Sequence, residues 1–187
     1  MEIKCFSNAH TSLSSNEIVV LDTSMVIALS NPKDNNSSHA LSFASEAGLA
    51  SSILITTAKQ YEELHIKLTN TLAGTGDKKD NLIKNPDLGE KIGSAVEYLY
   101  YLMSMNDGFI SEPIGTIDIK VLNRAHQLLT NYNVEWGDAI TFAIAEQQSI
   151  SNIASCDYDY TRIKDSAVVQ KVYLPEYHYK RYQLENP

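Results

Sequence analysis

The sequence has few of the features that cross-link secreted proteins or anchor membrane proteins. Its 187 residues include two cysteines, Cys5 and Cys156, whose wide separation differs from the dense cysteine frameworks of small secreted domains. The most apolar stretch, IVVLDTSMVIAL, is interrupted by Asp22 and is shorter than the roughly 20 residues that a membrane helix needs. The opening segment, MEIKCFSNAHTSLSSNE, lacks the long apolar stretch of a signal peptide. We therefore expect a cytoplasmic protein without a membrane segment.

Positive charge is also scarce. The chain has 15 Lys and Arg against 23 Asp and Glu, which gives a formal net charge of -8. This balance argues against a protein that binds nucleic acid through one broad basic face. It still permits a nucleic-acid enzyme, because carboxylates that hold metal ions in one pocket can make that pocket locally positive.

Motifs of several other site types are incomplete. The five histidines lack metal-site spacing, and Cys156 has no neighbouring His or Asn that would indicate a thiol nucleophile. The segment EELH supplies one Glu-x-x-His, whereas helical di-iron sites use two. The segment AGTGDKK follows a predicted helix and lacks the Gly-Lys-Ser/Thr ending of a phosphate-binding loop. Acidic side chains are therefore the main candidates for chemistry.

Short apolar runs alternate with helical patterns along the chain. Runs typical of strands buried in a parallel sheet occur at 18–21, 53–56, 152–155 and 168–174. Apolar residues recur at helical spacing over 38–50, 57–72, 88–105, 116–132 and 136–148. The alternation predicts an α/β fold with a central, mostly parallel sheet flanked by helices.

The chain length and local composition predict one main domain. Residues 1–16 are polar and rich in serine, so we expect a flexible lead-in that could include a short strand at EIKCF. Residues 17–187 are expected to form a single domain, because single domains typically run to roughly 100 to 200 residues. Within it, 73–87 is rich in Gly, Lys, Asp and Asn and is interpreted as an exposed loop.

Four acids from distant segments are expected to meet at one edge of the sheet. Asp22 and Asp157 follow predicted strands, and ligand sites of open α/β sheets form beyond the carboxyl ends of strands. Asp138 at a helix start and Glu63 on the helix after the second strand could reach the same edge. Two like charges ~4 Å apart repel by roughly 4 kcal/mol at an effective dielectric near 20. The pocket would therefore favour a divalent cation, and hard carboxylate oxygens suit Mg²⁺ or Mn²⁺.

Each acid also has a structural explanation that needs no metal. Asp22 and Asp138 could cap helices. Glu63 could form a surface ion pair with Lys59 or Lys67, each of which is one helical turn away. The aspartates of CDYDY could be ordinary turn formers. The prediction of a site therefore depends on the set of acids and not on any one of them.

Four segments together resemble the PIN-domain nucleases, a family that includes the VapC-type toxins of toxin–antitoxin pairs. LDTSMVIAL resembles the opening strand with its Asp, and ITTAKQYEEL resembles the strand and helix that end in Glu-Leu. WGDAITFAIAEQQ resembles the Asp-Ala helix, and IASCDYDYTRI resembles the closing Thr-x-Asp-x-Asp-Phe segment. The order and approximate spacing agree. The resemblance implies a PIN-like three-layer fold.

The resemblance also assigns roles to residues. It implies that four acids are both metal ligands and catalytic residues: Asp22, Glu63, Asp138 and Asp157. Three residues would be accessory, namely Asp159, Ser155 and Ser24, and Glu62 is the alternative acid beside Glu63. Candidate phosphate contacts are Lys78, Lys79, Arg162 and Lys164, which could equally be solvated loop charges. The implied activity is a Mg²⁺- or Mn²⁺-dependent endoribonuclease that leaves a 5′-phosphate and acts on RNA as a homodimer, with an antitoxin protein as partner in toxins.

The sequence departs from the family pattern at three places. Ser155 replaces the usual Thr that orients water or phosphate, Tyr160 replaces Phe, and the helical middle region, 73–115, is longer than in compact toxins. The last departure bears on the toxin role more than on the nuclease role.

Two other functions remain open. A PIN-like protein can be a catalytically silent adaptor that binds RNA or protein. Asp157-Tyr158-Asp159-Tyr160-Thr161 also resembles the DxDxT motif of haloacid-dehalogenase-type phosphatases, although that motif opens their fold and only 26 residues follow Thr161 here.

Overall fold

The computed structural model describes residues 1–73, 87–104 and 109–187. A six-stranded sheet lies at its centre, in the order β1-β6-β5-β2-β3-β4, and every neighbouring pair is parallel. The strands are β1 (Glu2–Cys5), β2 (Ile18–Leu21), β3 (Ile53–Thr57), β4 (Phe109–Ile114), β5 (Asn152–Ala154) and β6 (Lys171–Leu174). Most of the loop predicted at 73–87, including Lys78 and Lys79, lies outside the described residues.

Helices cover both faces of the sheet. They are α1 (Ala9–Ser12), α2 (Thr23–Ser30), α3 (Ser37–Leu49), α4 (Ala58–Ala73), α5 (Asp87–Ser104), α6 (Ile119–Tyr132), α7 (Trp136–Gln147) and α8 (Glu176–Glu185), with 3-10 turns at Phe6–Asn8 and Asp159–Arg162. Among these described helices, none combines the length and apolar character needed to cross a membrane.

The apolar core is divided by the sheet into two clusters. Val20 of β2 packs in a cluster with Leu128 of α6 and Phe142 of α7. Val19, its neighbour in β2, packs in the other cluster with Phe43 of α3. Successive strand side chains face opposite sides, so a continuous apolar run is needed where helices cover both faces. The predicted three-layer α/β fold with a parallel central sheet is confirmed.

The first residues of the chain are part of the sheet and core. The sequence predicts a flexible lead-in over 1–16, whereas the structure pairs β1 with β6, with Ile3 opposite Val172. Phe6 is buried and its ring lies 5.0 Å from that of Phe43, centroid to centroid. The serines and asparagines around these apolar positions dilute the pattern, which is why the sequence alone favours a looser segment.

The strand order creates a crevice next to β2. From β2 the chain proceeds to β3 and β4 on one side, and it later returns to the other side of β2 to form β5 and β6. Connections therefore diverge in opposite directions at the carboxyl ends of β2 and β5. Such switch points are where ligand sites of open α/β sheets form.

Candidate metal centre

Asp22 lies at the junction of β2 and α2. Its carboxylate caps α2 by accepting from the Ser24 N–H at 3.3 Å. It also accepts from the hydroxyl groups of Ser24 at 2.7 Å, Ser155 at 3.1 Å and Tyr160 at 3.2 Å. Asp22 therefore does cap a helix, as its position in the sequence allowed. Because three hydroxyl donors also bind it, from α2, the end of β5 and the following 3-10 turn, the buried carboxylate is fixed in the crevice.

Asp138 is buried in the first turn of α7. The N-cap of α7 is Glu135, so the explanation of Asp138 as an N-cap is wrong. Its Oδ2 atom is buried and has no hydrogen-bond partner among the described residues. Burial raises the pKa of the Asp138 carboxyl to about 9, and the charges of Asp22 and Asp157 contribute in the same direction. Without a bound cation this carboxyl is protonated at neutral pH, and a metal ion that binds it would displace the proton.

Three aspartates form what we name the acid cluster: Asp138, Asp157 and Asp159. Each offers one carboxylate oxygen, and these oxygens all lie within 4.8 Å of one another. The Asp159 N–H donates to Asp157 Oδ1 at 3.0 Å, so the turn-forming explanation of CDYDY also holds. Asp22 and Glu63, which the sequence predicts as ligands, lie outside this cluster as the side chains stand. The negative charge of Asp22 nevertheless raises the pKa of Asp138, so the two carboxyl groups are close enough to interact.

The two adjacent glutamates of α4 occupy different surroundings. Thr23, next to Asp22, donates its hydroxyl to the Glu63 carboxylate, and the Glu63 side chain is 24% exposed. The Glu62 side chain is 55% exposed and pairs with the Lys59 Nζ at 3.1 Å. Lys59 is itself buried and also lies 3.6 Å from Glu63 Oε1. Glu63 therefore does form an ion pair with Lys59. The hydrogen bond from Thr23 also places its carboxylate at the crevice.

Two uncharged residues lie between α4 and α7. A Cβ atom at Gly137 would collide with Glu63 Oε1, so a side chain here would displace the Glu63 carboxylate from its present place. Gln60 is fully buried, accepts from the Thr57 N–H at 2.8 Å and donates to Thr141 Oγ1 at 2.7 Å. Since Thr57 ends β3 and Thr141 belongs to α7, Gln60 ties both helices to the sheet. The sequence alone does not indicate either residue, because Gly137 and Glu63, like Gln60 and Thr141, are distant from each other in the chain.

Two buried hydroxyl groups, those of Ser155 and Tyr160, form hydrogen bonds that hold the acids in place. Ser155 donates to Asp22 and accepts from the Asp157 N–H at 2.8 Å, so one side chain connects two acids. Tyr160 is fully buried, and burial followed by the charge of Asp22 raises its pKa well above the ordinary value. It therefore acts as a neutral hydrogen-bond donor. The Tyr in place of Phe is the one sequence signal for this role.

Of the four predicted phosphate contacts, Arg162 and Lys164 are among the described residues. Arg162 pairs with Asp159 at 3.1 Å and donates to a backbone carbonyl, so its guanidinium is already engaged. Lys164 is exposed. Neither arrangement tests a phosphate contact. Lys59, which the sequence suggests only as a helix-surface partner, is instead a buried cation at the edge of the crevice.

The arrangement has the composition of a site for a hard divalent cation. The acid cluster offers carboxylate oxygens, and the Asp22 carboxylate and two hydroxyl groups lie beside it. Mg²⁺ and Mn²⁺ prefer oxygen ligands of this kind, whereas softer metals favour sulfur and imidazole. A cation held there would also offset the burial and the like-charge repulsion that together raise the pKa of Asp138.

Comparisons with known proteins address the fold and the family. A search of curated proteins gave no match. The crystal structure of VapC20 from Mycobacterium tuberculosis, a toxin that cleaves the sarcin–ricin loop, is similar to this chain with a TM-score of 0.50 and 15% identity. The similarity covers 81% of this chain and 97% of VapC20 and shows a shared fold. Residues 19–166, which run from the second residue of β2 past the end of β5, match the sequence profile of the PIN domain. The chain belongs to the PIN-domain family.

Proposed function

We propose that this protein is a Mg²⁺- or Mn²⁺-dependent endoribonuclease that hydrolyses RNA phosphodiester bonds at the carboxyl ends of β2 and β5. The observation that carries the proposal is the buried, unpartnered Oδ2 of Asp138 in a group of three carboxylates. A buried polar atom without a partner is destabilising unless something binds it. A divalent cation supplies the missing interaction.

The residues present fit such a cation. Asp138, Asp157 and Asp159 would need little movement to share an ion, since their oxygens already lie within 4.8 Å of one another. Asp22 is held beside them by Ser155 and would complete one side of the site. A bound cation would lower the pKa of an attacking water and stabilise negative charge on the phosphodiester.

The other residues would hold these ligands in position. Ser155 and Tyr160 fix the two oxygens of Asp22, and Thr23 restrains Glu63. Glu63, the predicted fourth ligand, is the acid whose place depends on Gly137. We infer that it acts at the second side of the site, while the exposed Glu62 remains in solvent.

Cleavage of labelled single-stranded RNA tests the proposal. We expect cleavage with Mn²⁺ or Mg²⁺, none with EDTA, and a loss of at least about 100-fold in Asp22→Asn and Asp138→Asn, the upper range for removing support around a metal ligand. Glu90→Gln, at an exposed acid of α5, is the matched control and should retain activity. Cleavage that persists in EDTA or in either aspartate variant would refute the mechanism. Metal-stimulated release of phosphate from a monoester substrate would favour the phosphatase function, and RNA binding without cleavage would favour an adaptor.

The toxin role is a narrower form of the same proposal. VapC20 shares the fold and is a toxin that cleaves the sarcin–ricin loop. The family resemblance also implies a homodimer with an antitoxin partner. Induced expression of the unmodified chain should then arrest growth, and expression of Asp138→Asn should not. Equal growth of both cultures, with cleavage intact in the test tube, would separate a nuclease from a toxin. Sedimentation would establish whether the protein is a dimer.

A further inference from the structure

An aromatic surface lies at the same edge of the sheet as the acid cluster. It consists of Tyr158, which follows Asp157, and of Tyr177 and His178 in the first turn of α8, and we name it the aromatic platform. The ring centroids of Tyr177 and His178 are 4.2 Å apart, and those of Tyr158 and His178 are 5.4 Å apart. The Arg181 guanidinium lies over the Tyr158 ring at 4.1 Å from its centroid.

The fold places this platform beside the proposed catalytic site. Strand β6 neighbours β5 and is parallel to it, so α8, which starts just after β6, begins at the edge where β5 leads into the acid cluster. Burial raises the pKa of Tyr177 and lowers that of His178, and Asp157 is close enough to contribute to both values. Tyr158 lies between Asp157 and Asp159 in the chain and its ring contacts His178, so the platform lies next to the acid cluster.

The platform is not needed to fill the core. No residue of α8 is fully buried, and Tyr177 is 46% exposed. The Tyr177 hydroxyl donates to Asn36 Oδ1 at 2.8 Å, which holds the ring in place while leaving part of it accessible. A fixed, accessible aromatic ring stacks readily on a flat ligand.

We propose that the aromatic platform stacks a nucleobase of single-stranded RNA next to the phosphodiester at the acid cluster. The inference rests on the proposed ribonuclease function and adds a binding site for the base. Aromatic side chains bind single strands by stacking, which tolerates any base because every base has a π-face. Such a contact also suits a protein of net charge -8, because it supplies affinity that does not depend on a basic surface.

Binding of two RNA probes of equal charge tests the platform. The probes are a short oligoadenylate and an abasic ribose-phosphate oligomer of the same length, both measured by fluorescence anisotropy with Ca²⁺ in place of Mg²⁺. The unmodified protein should prefer oligoadenylate by about 5- to 150-fold, the range expected for stacking of one base. Tyr177→Ala and His178→Ala should each lose most of this preference while binding the abasic oligomer as before.

Matched variants separate stacking from a structural role. Tyr177→Phe loses the hydrogen bond to Asn36 but keeps the ring, so it should retain the preference. Tyr177→Leu keeps a large apolar side chain but has no ring. It replaces Tyr177→Ala if that variant does not fold, and it should also lose the preference. Tyr98→Ala removes a tyrosine of α5 that is 59% exposed and should behave as the unmodified protein.

The outcomes distinguish this inference from the function on which it rests. If the unmodified protein cleaves RNA but binds both probes equally, the platform is refuted and the nuclease stands. Retention of the preference in Tyr177→Ala and Tyr177→Leu, or its loss in Tyr177→Phe, also refutes the platform. If the protein neither binds nor cleaves RNA, both proposals fail.

Discussion

Ser155 Oγ lies 3.1 Å from Asp22 Oδ2, and this contact connects the ends of the neighbouring strands β2 and β5. Ser155 is fully buried, so its removal would leave Asp22 short of one donor in a place that water does not reach. The same hydroxyl accepts from the Asp157 backbone, so its loss would loosen two acids together.

Ser155→Ala should therefore reduce both stability and activity. We expect a loss of about 1–3 kcal/mol in the free energy of unfolding, because the Asp157 N–H loses its acceptor and Asp22 loses one of its donors. RNA cleavage should fall by about 10- to 100-fold, as for other groups that orient metal ligands. Ser155→Thr, which restores the residue usual in the family, is the control and should keep cleavage. Unchanged cleavage in Ser155→Ala would remove Ser155 from the support of the site.

Glu63 and Glu62 should differ sharply on neutralisation. Glu63→Gln should lower cleavage by at least about 10-fold, because it removes an acid held next to Asp22 by Thr23. Glu62→Gln removes a half-exposed partner of the buried Lys59, which keeps Glu63 as its second partner, and should leave cleavage unchanged. The cleavage rates of both variants, measured with the same RNA, test this prediction. A larger loss in Glu62→Gln than in Glu63→Gln would make Glu62 the acid that acts in cleavage.

Divalent metal should stabilise the folded protein. A cation that binds only the folded state at about 100 times its Kd adds about 2.7 kcal/mol to the free energy of unfolding. The Tm of the unmodified protein should rise with Mg²⁺ or Mn²⁺ concentration, and the Tm of Asp138→Asn should not. Differential scanning fluorimetry measures both. A Tm that is independent of metal in the unmodified protein would contradict a site in the acid cluster.

The stability of the metal-free protein should fall as the pH rises. The Asp138 carboxyl has a pKa of about 9 in the folded protein and an ordinary value of 3.8. Between these values the folded state holds a proton that the unfolded chain has released, so increasing pH favours unfolding. We expect the free energy of unfolding in EDTA to decline from about pH 5 to about pH 9, and Asp138→Asn to flatten this dependence. A decline of equal slope in both proteins would assign it to other groups.

Patterns confined to one segment predicted most of the fold. Strand β2 occurs at the predicted residues, because a continuous β-branched run between turn residues has few other interpretations. Strand β4 was missed, since FISEPI contains polar residues and Pro113, which suit an edge strand and weaken its pattern. Helix α8 was missed because its apolar side chains are scattered and none is fully buried.

The candidate site could be predicted only at the level of its acids. Asp22, Asp138 and Asp157 are expected near one another from their places after strands and at a helix start, and their roles as ligands stay predictions. The surroundings of Asp138 could not, because its burial and its unpartnered oxygen arise from the packing of α7 against the sheet. The contacts of Tyr160 and Gly137 likewise join segments that are far apart in the chain.

The buried amide of Gln60 has a consequence for the neighbouring glutamates. An α-helix turns by about 100° per residue, so a rotation of α4 by one position would exchange Glu63 for Glu62 at the crevice. Gln60 prevents that rotation by holding Thr57 on one side and Thr141 on the other. Gln60, an uncharged residue three positions before Glu63, thus determines which of the two glutamates faces the crevice.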